Sequence, residues 1–224
     1  MSVGAPALRS EGALPTRVLI AAKAPLPGSA KTRLSPPLSI ELAARLAEAF
    51  LADVLAAARA VDADAGFLCR ASDAADLGRR FAGVPLVVQT GRGLSGALAS
   101  GVRGGAVVVA GDAPGIGPEA IATAAMADAD IVLAPSRDGG FTLIRMRRQR
   151  PAVFDGIRWS TGSVLSQMLA ASRAAGLTVQ LLDPVPDVDT VDDLAALDLT
   201  HAHATRAVLC DPAVTWPLHP STPR

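Results

Sequence analysis

Tyrosine is absent from the chain, and tryptophan and phenylalanine together make up only 3% of its 224 residues. A core so poor in rings must be filled by Ala, Val, Leu and Ile, which suits buried parallel strands beneath alanine-rich helices. Half of the residues are hydrophobic, so a chain of this length can enclose one large core. Cysteine is scarce too. Cys69 and Cys210 lie far apart and match no metal-ligand spacing, which argues against a disulfide framework and predicts free thiols in a reducing cytoplasm. Net charge is also missing: 21 basic residues balance 21 acidic ones. No global field therefore draws nucleic acid or an anionic membrane, and any polyanion must be held locally. There is no apolar run of roughly 18 residues, and Met1 to Thr16 has no apolar stretch of signal-peptide length, so the sequence predicts neither a membrane span nor secretion.

The scarcest charged residue carries the most information. Lysine occurs only at positions 23 and 31, and the other 19 basic residues are arginine. A chain that uses arginine nearly everywhere, yet places both of its lysines in one Gly/Pro-bearing loop, has a use there for compact ammonium charge, and phosphate oxygens are a natural partner.

Along the chain, short apolar runs alternate with helical spacing. Arg17–Ala22 reads as a buried first strand, followed by a loop over 23–37 and a long helix to about Ala60, with Ser39 as N-cap. Further strands are expected over 65–69, 85–89, 106–110, 130–135, 141–146 and 178–182. Helices are expected over 73–81, 94–102, 118–126 and 162–175. This alternation predicts a three-layer α/β/α domain with a mostly parallel central sheet, spanning residues 16–210. Residues 1–15 and 211–224 read as loose ends. Arg145, Arg147, Arg148 and Arg150 read as a solvated strand end, and His201, His203 and His219 as ordinary surface or core residues rather than ligands. The segment 201–209 reads as a terminal helix that docks on the domain.

In open sheets of this kind ligands bind beyond the carboxyl ends of the strands, and four loops there carry unusual chemistry. The first runs from Lys23 to Leu34. Gly28 lets backbone approach an anion, Lys23 and Lys31 supply ammonium charge, and Arg33 adds a forked donor. The segment Gly28-Ser29-Ala30-Lys31-Thr32 echoes a Walker loop but fails in detail, since Ala30 precedes the lysine and prolines interrupt the amide donors. The second loop, Ala110 to Pro114, sets Asp112 on a tight turn after an apolar strand, where a carboxylate can hold Mg²⁺ or Mn²⁺ or cap the next helix. The third, Pro135 to Phe141, contains Asp138-Gly139-Gly140, a sequence that also suits an ordinary hairpin turn. The fourth carries Asp187 and Asp189, whose alternation lets both carboxylates face one side of an extended chain. Thr190 and Asp193 beside them read as a capping box.

Together these segments resemble the glycosyltransferase-A, or nucleotide-diphospho-sugar transferase, superfamily. They look most like a bacterial glycosyltransferase-like family with a K-x-P-x-P-G-x-x-K-T-R-L loop, an acid turn ending in Pro, a Pro-x-x-Asp-Gly-Gly-Tyr segment, a Trp-Ser/Gly-Thr motif and an Asp-x-Asp-Thr close. Here these stand at Lys23–Leu34, Ala110–Pro114, Pro135–Phe141, Trp159–Thr161 and Asp187–Thr190. The pieces are also similar to the guanylyltransferases of 2-phospholactate and of the molybdenum cofactor. Ala110 replaces a Gly of the pattern, Phe141 replaces its Tyr, and Arg137 stands where an acid is common.

The resemblance implies a transferase acting on a nucleotide-sugar or a nucleoside triphosphate together with a small acceptor, with glycosyl transfer as the first reading. Nucleotidyl transfer to a small phosphorylated metabolite is the alternative, and a non-catalytic nucleotide-binding protein a third. It implies Lys31 and Asp112 as catalytic residues, and phosphates held by Lys23, Pro27, Gly28, Lys31, Thr32 and Arg33. Asp112, Asp187 and Asp189 would hold Mg²⁺ or Mn²⁺. Asp138, Gly139, Gly140, Trp159, Ser160 and Thr161 would lie on the acceptor side. A homodimer stays open, and neither nucleic acid nor membrane is an expected partner.

Overall fold

The computed structural model describes residues 16–214; the expected loose ends at 1–15, most of the expected tail and His219 lie outside the described residues. Seven strands form one sheet: β1 (Arg17–Ala21), β2 (Asp64–Cys69), β3 (Leu86–Val88), β4 (Val107–Ala110), β5 (Ile131–Pro135), β6 (Phe141–Met146) and β7 (Val179–Leu181). Their spatial order is β3-β2-β1-β4-β6-β5-β7. Only β6 runs against its neighbours, pairing antiparallel with β4 and with β5. That strand returns from β5 by the hairpin that the Asp138-Gly139-Gly140 turn permits, so its first residues sit at the same edge as the carboxyl ends of the other strands.

The helices are α1 (Ile40–Ala60), α2 (Ala71–Arg80), α3 (Gly93–Gly101), α4 (Pro118–Met126), α5 (Val164–Ala174), α6 (Val191–Ala195) and α7 (His203–Leu209). Strand periodicity sorts the core into two layers. Val18, Ile20, Phe67, Val107 and Val109 pack with Val54, Leu77 and Ile121 of α1, α2 and α4. The alternate residues Leu19, Leu68, Val108, Ile131 and Leu133 pack with Leu98, Val164 and Met168 of α3 and α5. The expected three-layer α/β/α arrangement is therefore present. Among the described residues no helix is long and apolar enough to cross a membrane.

Local signals hold in detail. The Ser39 hydroxyl accepts from Leu42 N at 3.1 Å and starts α1. Thr190 and Asp193 form the capping box of α6. Cys69 and Cys210 are free thiols, and burial pushes the Cys69 thiol up, with the Asp73 carboxylate adding to it. The arginine cluster departs from expectation at one position. Arg147, Arg148 and Arg150 are exposed, but Arg145 is half-buried between strands, donates from Nη1 to Ala127 O at 2.6 Å, and keeps a buried Nε without a partner. Its position on β6, paired with both β4 and β5, tucks the stem against the sheet.

At the opposite edge of the sheet from the carboxyl ends, Asp130 joins the starts of β5 and β7. Its Oδ2 accepts from Thr178 N at 3.0 Å and from Thr178 Oγ1 at 2.9 Å, while Asp130 N donates to that hydroxyl at 2.9 Å. These bonds, with Arg147, hold its carboxyl at about 2. A depressed carboxyl stabilises the fold above its unfolded value of about 3.9, and that contribution fades as pH falls towards the folded value. Asp130→Asn should therefore melt below wild type at neutral pH, with the gap closing between about pH 4 and about pH 2. Calorimetric melts across that range check this, and a gap that stays constant down to the lower limit refutes it.

Candidate functional site

The strand order reverses between β1 and β4, which leave the sheet in opposite directions; the crevice beyond their carboxyl ends is where such folds bind ligands. The two strands end in register, Ala21 opposite Ala110, and Gly111 N donates to Ala21 O at 3.0 Å. A Cβ on Gly111 would lie 2.6 Å from that oxygen and 2.6 Å from Leu51 Cδ2. Glycine is thus required for the close approach that puts Asp112 at the switch point.

The loop after β1 folds on itself. Ala24 N donates to Asp73 Oδ1 at 3.0 Å, Lys23 Nζ to Ser29 O at 2.7 Å, and the amides of Ser29 and Ala30 both go to Leu26 O. Those amides are consumed within the turn, so the loop is no continuous nest of free donors and the Walker-like echo ends there. Lys31 then adopts a left-handed backbone, φ 46°, and starts a short 3-10 turn over Thr32–Leu34. A non-glycine residue in this region costs on the order of 1–2 kcal/mol and persists where surrounding contacts over-determine it.

Those contacts are electrostatic on one side and apolar on the other. Lys31 Nζ lies 2.7 Å from Asp112 Oδ2 and 2.8 Å from Asp189 Oδ1, and Arg33 Nη1 lies 3.0 Å from Asp189 Oδ2. Burial pulls the Lys31 ammonium down, but Asp112 and Asp189 outweigh it and raise the group above its ordinary value, so it is charged throughout the physiological range. Beneath it, Leu34 and Val188, both fully buried, share one apolar cluster with Leu46 and Phe50 of α1. Val188 N also donates to Asp112 O at 2.9 Å. Burying the central residue of Asp187-Val188-Asp189 turns its two neighbours the other way, as their alternation implies.

Asp112, Asp187 and Asp189 each present a carboxylate oxygen within 4.8 Å of the others. Burial first, then Asp112 and Asp138, push the Asp187 carboxyl up to about 6. Three hard oxygen donors, offset by one ammonium between two of them, suit a hard divalent cation such as Mg²⁺ or Mn²⁺.

Two cavities meet at this cluster and share Ala21, Gly111 and Asp112. The first, about 300 Å³, lies on the α1 side and is lined by Lys23, Ser29, Lys31, Thr32, Arg33 and Asp189. The second, about 390 Å³, lies on the α3 and α5 side and takes in Asp138, Gly140, Trp159, Ser160, Thr161 and Asp187. The structure thus brings most of the expected site residues together in two groups. Pro27 and Gly28 shape the tip of the first loop without lining its cavity, and Gly139 lies behind the second. Lys31 and Arg33, expected to hold phosphate, hold Asp189 here.

The acceptor-side residues are tightly placed. Asp138 Oδ1 accepts from Gly140 N at 2.9 Å and from the Ser136 hydroxyl, which locks the hairpin turn. Trp159 Nε1 donates to Ser95 Oγ at 2.7 Å, and that hydroxyl donates to Phe154 O at 3.2 Å. Ser160 is left-handed at φ 59°, so among the described residues two of the three non-glycine residues with positive φ border these cavities. Sequence reasoning missed Ser95, Asp73 and the apolar wall made by Leu94, Leu98 and Val164. Each is an ordinary residue of a helix whose relevance appears only once the chain has crossed the sheet.

A bacterial protein family described as an uncharacterized protein conserved in bacteria (DUF2064) matches residues 35–161, more than half of the chain. This chain belongs to that family. The matched span of the family starts just past the Lys23–Leu34 loop and closes on Thr161. No curated protein matches the chain. Among solved structures it is similar to a protein of Desulfovibrio desulfuricans G20 named as a candidate nucleotide-diphospho-sugar transferase, with 29% identity, a TM-score of 0.76, and coverage of 87% of this chain and 93% of that one. A hypothetical transferase from Thermus thermophilus aligns at 16% identity and TM-score 0.44, over 81% of this chain and 100% of that one. The 4-diphosphocytidyl-2C-methyl-D-erythritol synthase of Anaerococcus prevotii aligns at 13% and 0.49, over 87% and 96%. The likeness to the Desulfovibrio structure gives this family member the fold of the nucleotide-diphospho-sugar transferases.

Gly139 tests whether the two halves of the second cavity are coupled. Its φ is 84°, its carbonyl accepts from Leu165 N at 2.9 Å, and a Cβ there would fall 2.1 Å from Gly162 O. Gly139→Ala should lower stability by about 2 kcal/mol or more and push the Trp159–Thr161 segment outward, shifting Trp159 emission to the red. A variant with wild-type melting and emission would show that the contact is not needed.

Proposed function

We propose that the protein is a metal-dependent transferase that takes a nucleotide-sugar and moves its glycosyl group to a small acceptor. The observation that carries this reading is the meeting of two chemically opposite cavities at Asp112. One is lined by both lysines and Arg33, which outnumber its two carboxylates, and suits a diphosphate; the other is lined by three carboxylates, no cation and an apolar wall, and suits an acceptor. The name of the Desulfovibrio structure supports the same class.

In this reading Lys23, Lys31 and Arg33 bind the phosphates. An ammonium has three donors, and Lys31 directs two at carboxylates, so it both anchors the acids and keeps capacity for an anion. Asp112, Asp187 and Asp189 would hold Mg²⁺ or Mn²⁺, which when bound supplies a Lewis acid that stabilises charge on the leaving phosphate. The acceptor oxygen forms a bond to the anomeric carbon as the bond from that carbon to the phosphate oxygen breaks. The electron pair leaves with the nucleoside diphosphate, and the proton of the acceptor hydroxyl passes to solvent water. Catalysis is then mainly positioning and electrostatics, with no covalent intermediate on the protein.

Calorimetric titration with nucleoside diphosphates in the presence of Mn²⁺ tests the binding half. Lys31→Ala and Asp112→Asn should each weaken binding by about ten-fold or more, the loss of one good charge-assisted contact. Unchanged affinity in both would remove the reading. Product analysis separates glycosyl from nucleotidyl transfer: release of nucleoside diphosphate from a nucleotide-sugar supports the first, and release of diphosphate from a nucleoside triphosphate the second.

A further inference from the structure

The second cavity carries a signature that narrows its occupant. Its lining contains three acids, Asp112, Asp138 and Asp187, and no lysine, arginine or histidine. Arg137 and Arg158 neighbour its segments in sequence but do not line it. The apolar wall is made of Leu94, Leu98, Phe141, Ile144, Trp159 and Val164. Leu94 is 47% exposed, an unusually open leucine, and it stands on this rim. Phe141 and Trp159 meet edge to face with centroids 6.4 Å apart. Because the indole N–H is already bonded to Ser95, the tryptophan offers the cavity a ring and no donor.

We infer that this cavity accepts an uncharged hydroxyl compound with an apolar or planar body, and that it rejects phosphorylated acceptors. The inference rests on the reading of the site as a transferase and deepens it by naming the acceptor class. A phosphate entering here would face carboxylates with no cation of the cavity's own. Like charges brought close together in a partly enclosed cavity repel one another. Lys31 and a divalent ion together offset Asp112, Asp187 and Asp189, but they leave Asp138 uncompensated. A hydroxyl, by contrast, donates to a carboxylate, and the apolar body covers Leu94 and the Trp159 ring. Both lysines of the chain line the other cavity, so the two compartments sort their ligands by charge.

The test uses Trp159 as its own reporter. In the whole chain carrying Trp216→Phe, it is the sole indole, since the sequence has two tryptophans. Its emission is titrated with 2-phenylethanol and with 2-phenylethyl phosphate, two probes that differ only by the phosphate. The alcohol should bind at least about ten-fold more tightly. Leu94→Arg, at an exposed position that tolerates substitution, should reverse the order by adding a cation at the rim. Calorimetry with a nucleoside diphosphate and Mn²⁺ runs alongside. If the nucleotide binds but the phosphate ester binds as tightly as the alcohol, or neither probe binds at millimolar concentration, the acceptor inference fails while the transferase reading stands. If the nucleotide itself does not bind, the underlying reading fails.

Discussion

One ammonium group keeps the acids of this site together. Carboxylates within 4.8 Å of one another repel by roughly 3 kcal/mol per pair at an effective dielectric of 20, and three of them converge from two loops far apart in sequence. Lys31 lies between Asp112 and Asp189 and offsets the charge of both at once. Its backbone accepts a left-handed strain to get there. The apolar cluster beneath it, in which Leu34 of the lysine loop meets Val188 of the Asp187–Asp189 loop as Lys31 meets Asp189, adds burial worth about 1.5–3 kcal/mol for each fully covered side chain. The charge and the packing therefore act on the same two loops, and each places the other.

This coupling explains why the site sits at the switch point and nowhere else along the sheet edge. β1 and β4 are neighbours whose following chains diverge, so a ligand-sized gap opens between their loops. Gly111 lets the two strand ends close up, and Val188 N, bonded to Asp112 O, draws the acid loop across the gap. What remains are two cavities divided by one aspartate. The lysines were drawn to one side because both belong to the loop after β1. The other side inherits the hairpin between β5 and β6, the Trp159–Thr161 segment and the amino-terminal turn of α3, none of which carries a cation into the cavity.

Much of this was legible in the residues. Alternating apolar runs and helical spacing implied the layers, and the caps at Ser39 and Thr190 are local chemistry that needs no tertiary contact. The concentration of both lysines in one loop pointed to the cation-lined cavity, and the Asp187–Asp189 alternation to paired carboxylates. What could not be read was partnership across the sheet. Nothing in the sequence says that Lys31 faces Asp189 rather than open solvent, that Asp73 of α2 holds the start of the lysine loop, or that Ser95 of α3 fixes the Trp159 ring. Arg145 is the same kind of case: four arginines in six positions look solvated until β6 is found to run between two other strands. Side chains on separate elements find each other through topology, and topology is set by the summed burial of the core, not by the motif that uses it.

The division of charge also bears on why phenylalanine at position 141 is compatible with this site where the resembled pattern has tyrosine. A phenol there would add a donor to a wall whose other members, Leu94, Leu98, Ile144 and Val164, have none, and its hydroxyl would need a partner once covered. The ring alone keeps the edge-to-face contact with Trp159 and leaves the carboxylates and the Ser136, Ser160 and Thr161 side chains as the polar groups of the lining. Arginine at 137, exposed and outside the lining, contributes no charge to the cavity interior. Both departures from the pattern thus act in one direction: they add neither a phenol nor a cation to the lining of the second cavity, while both lysines line the first.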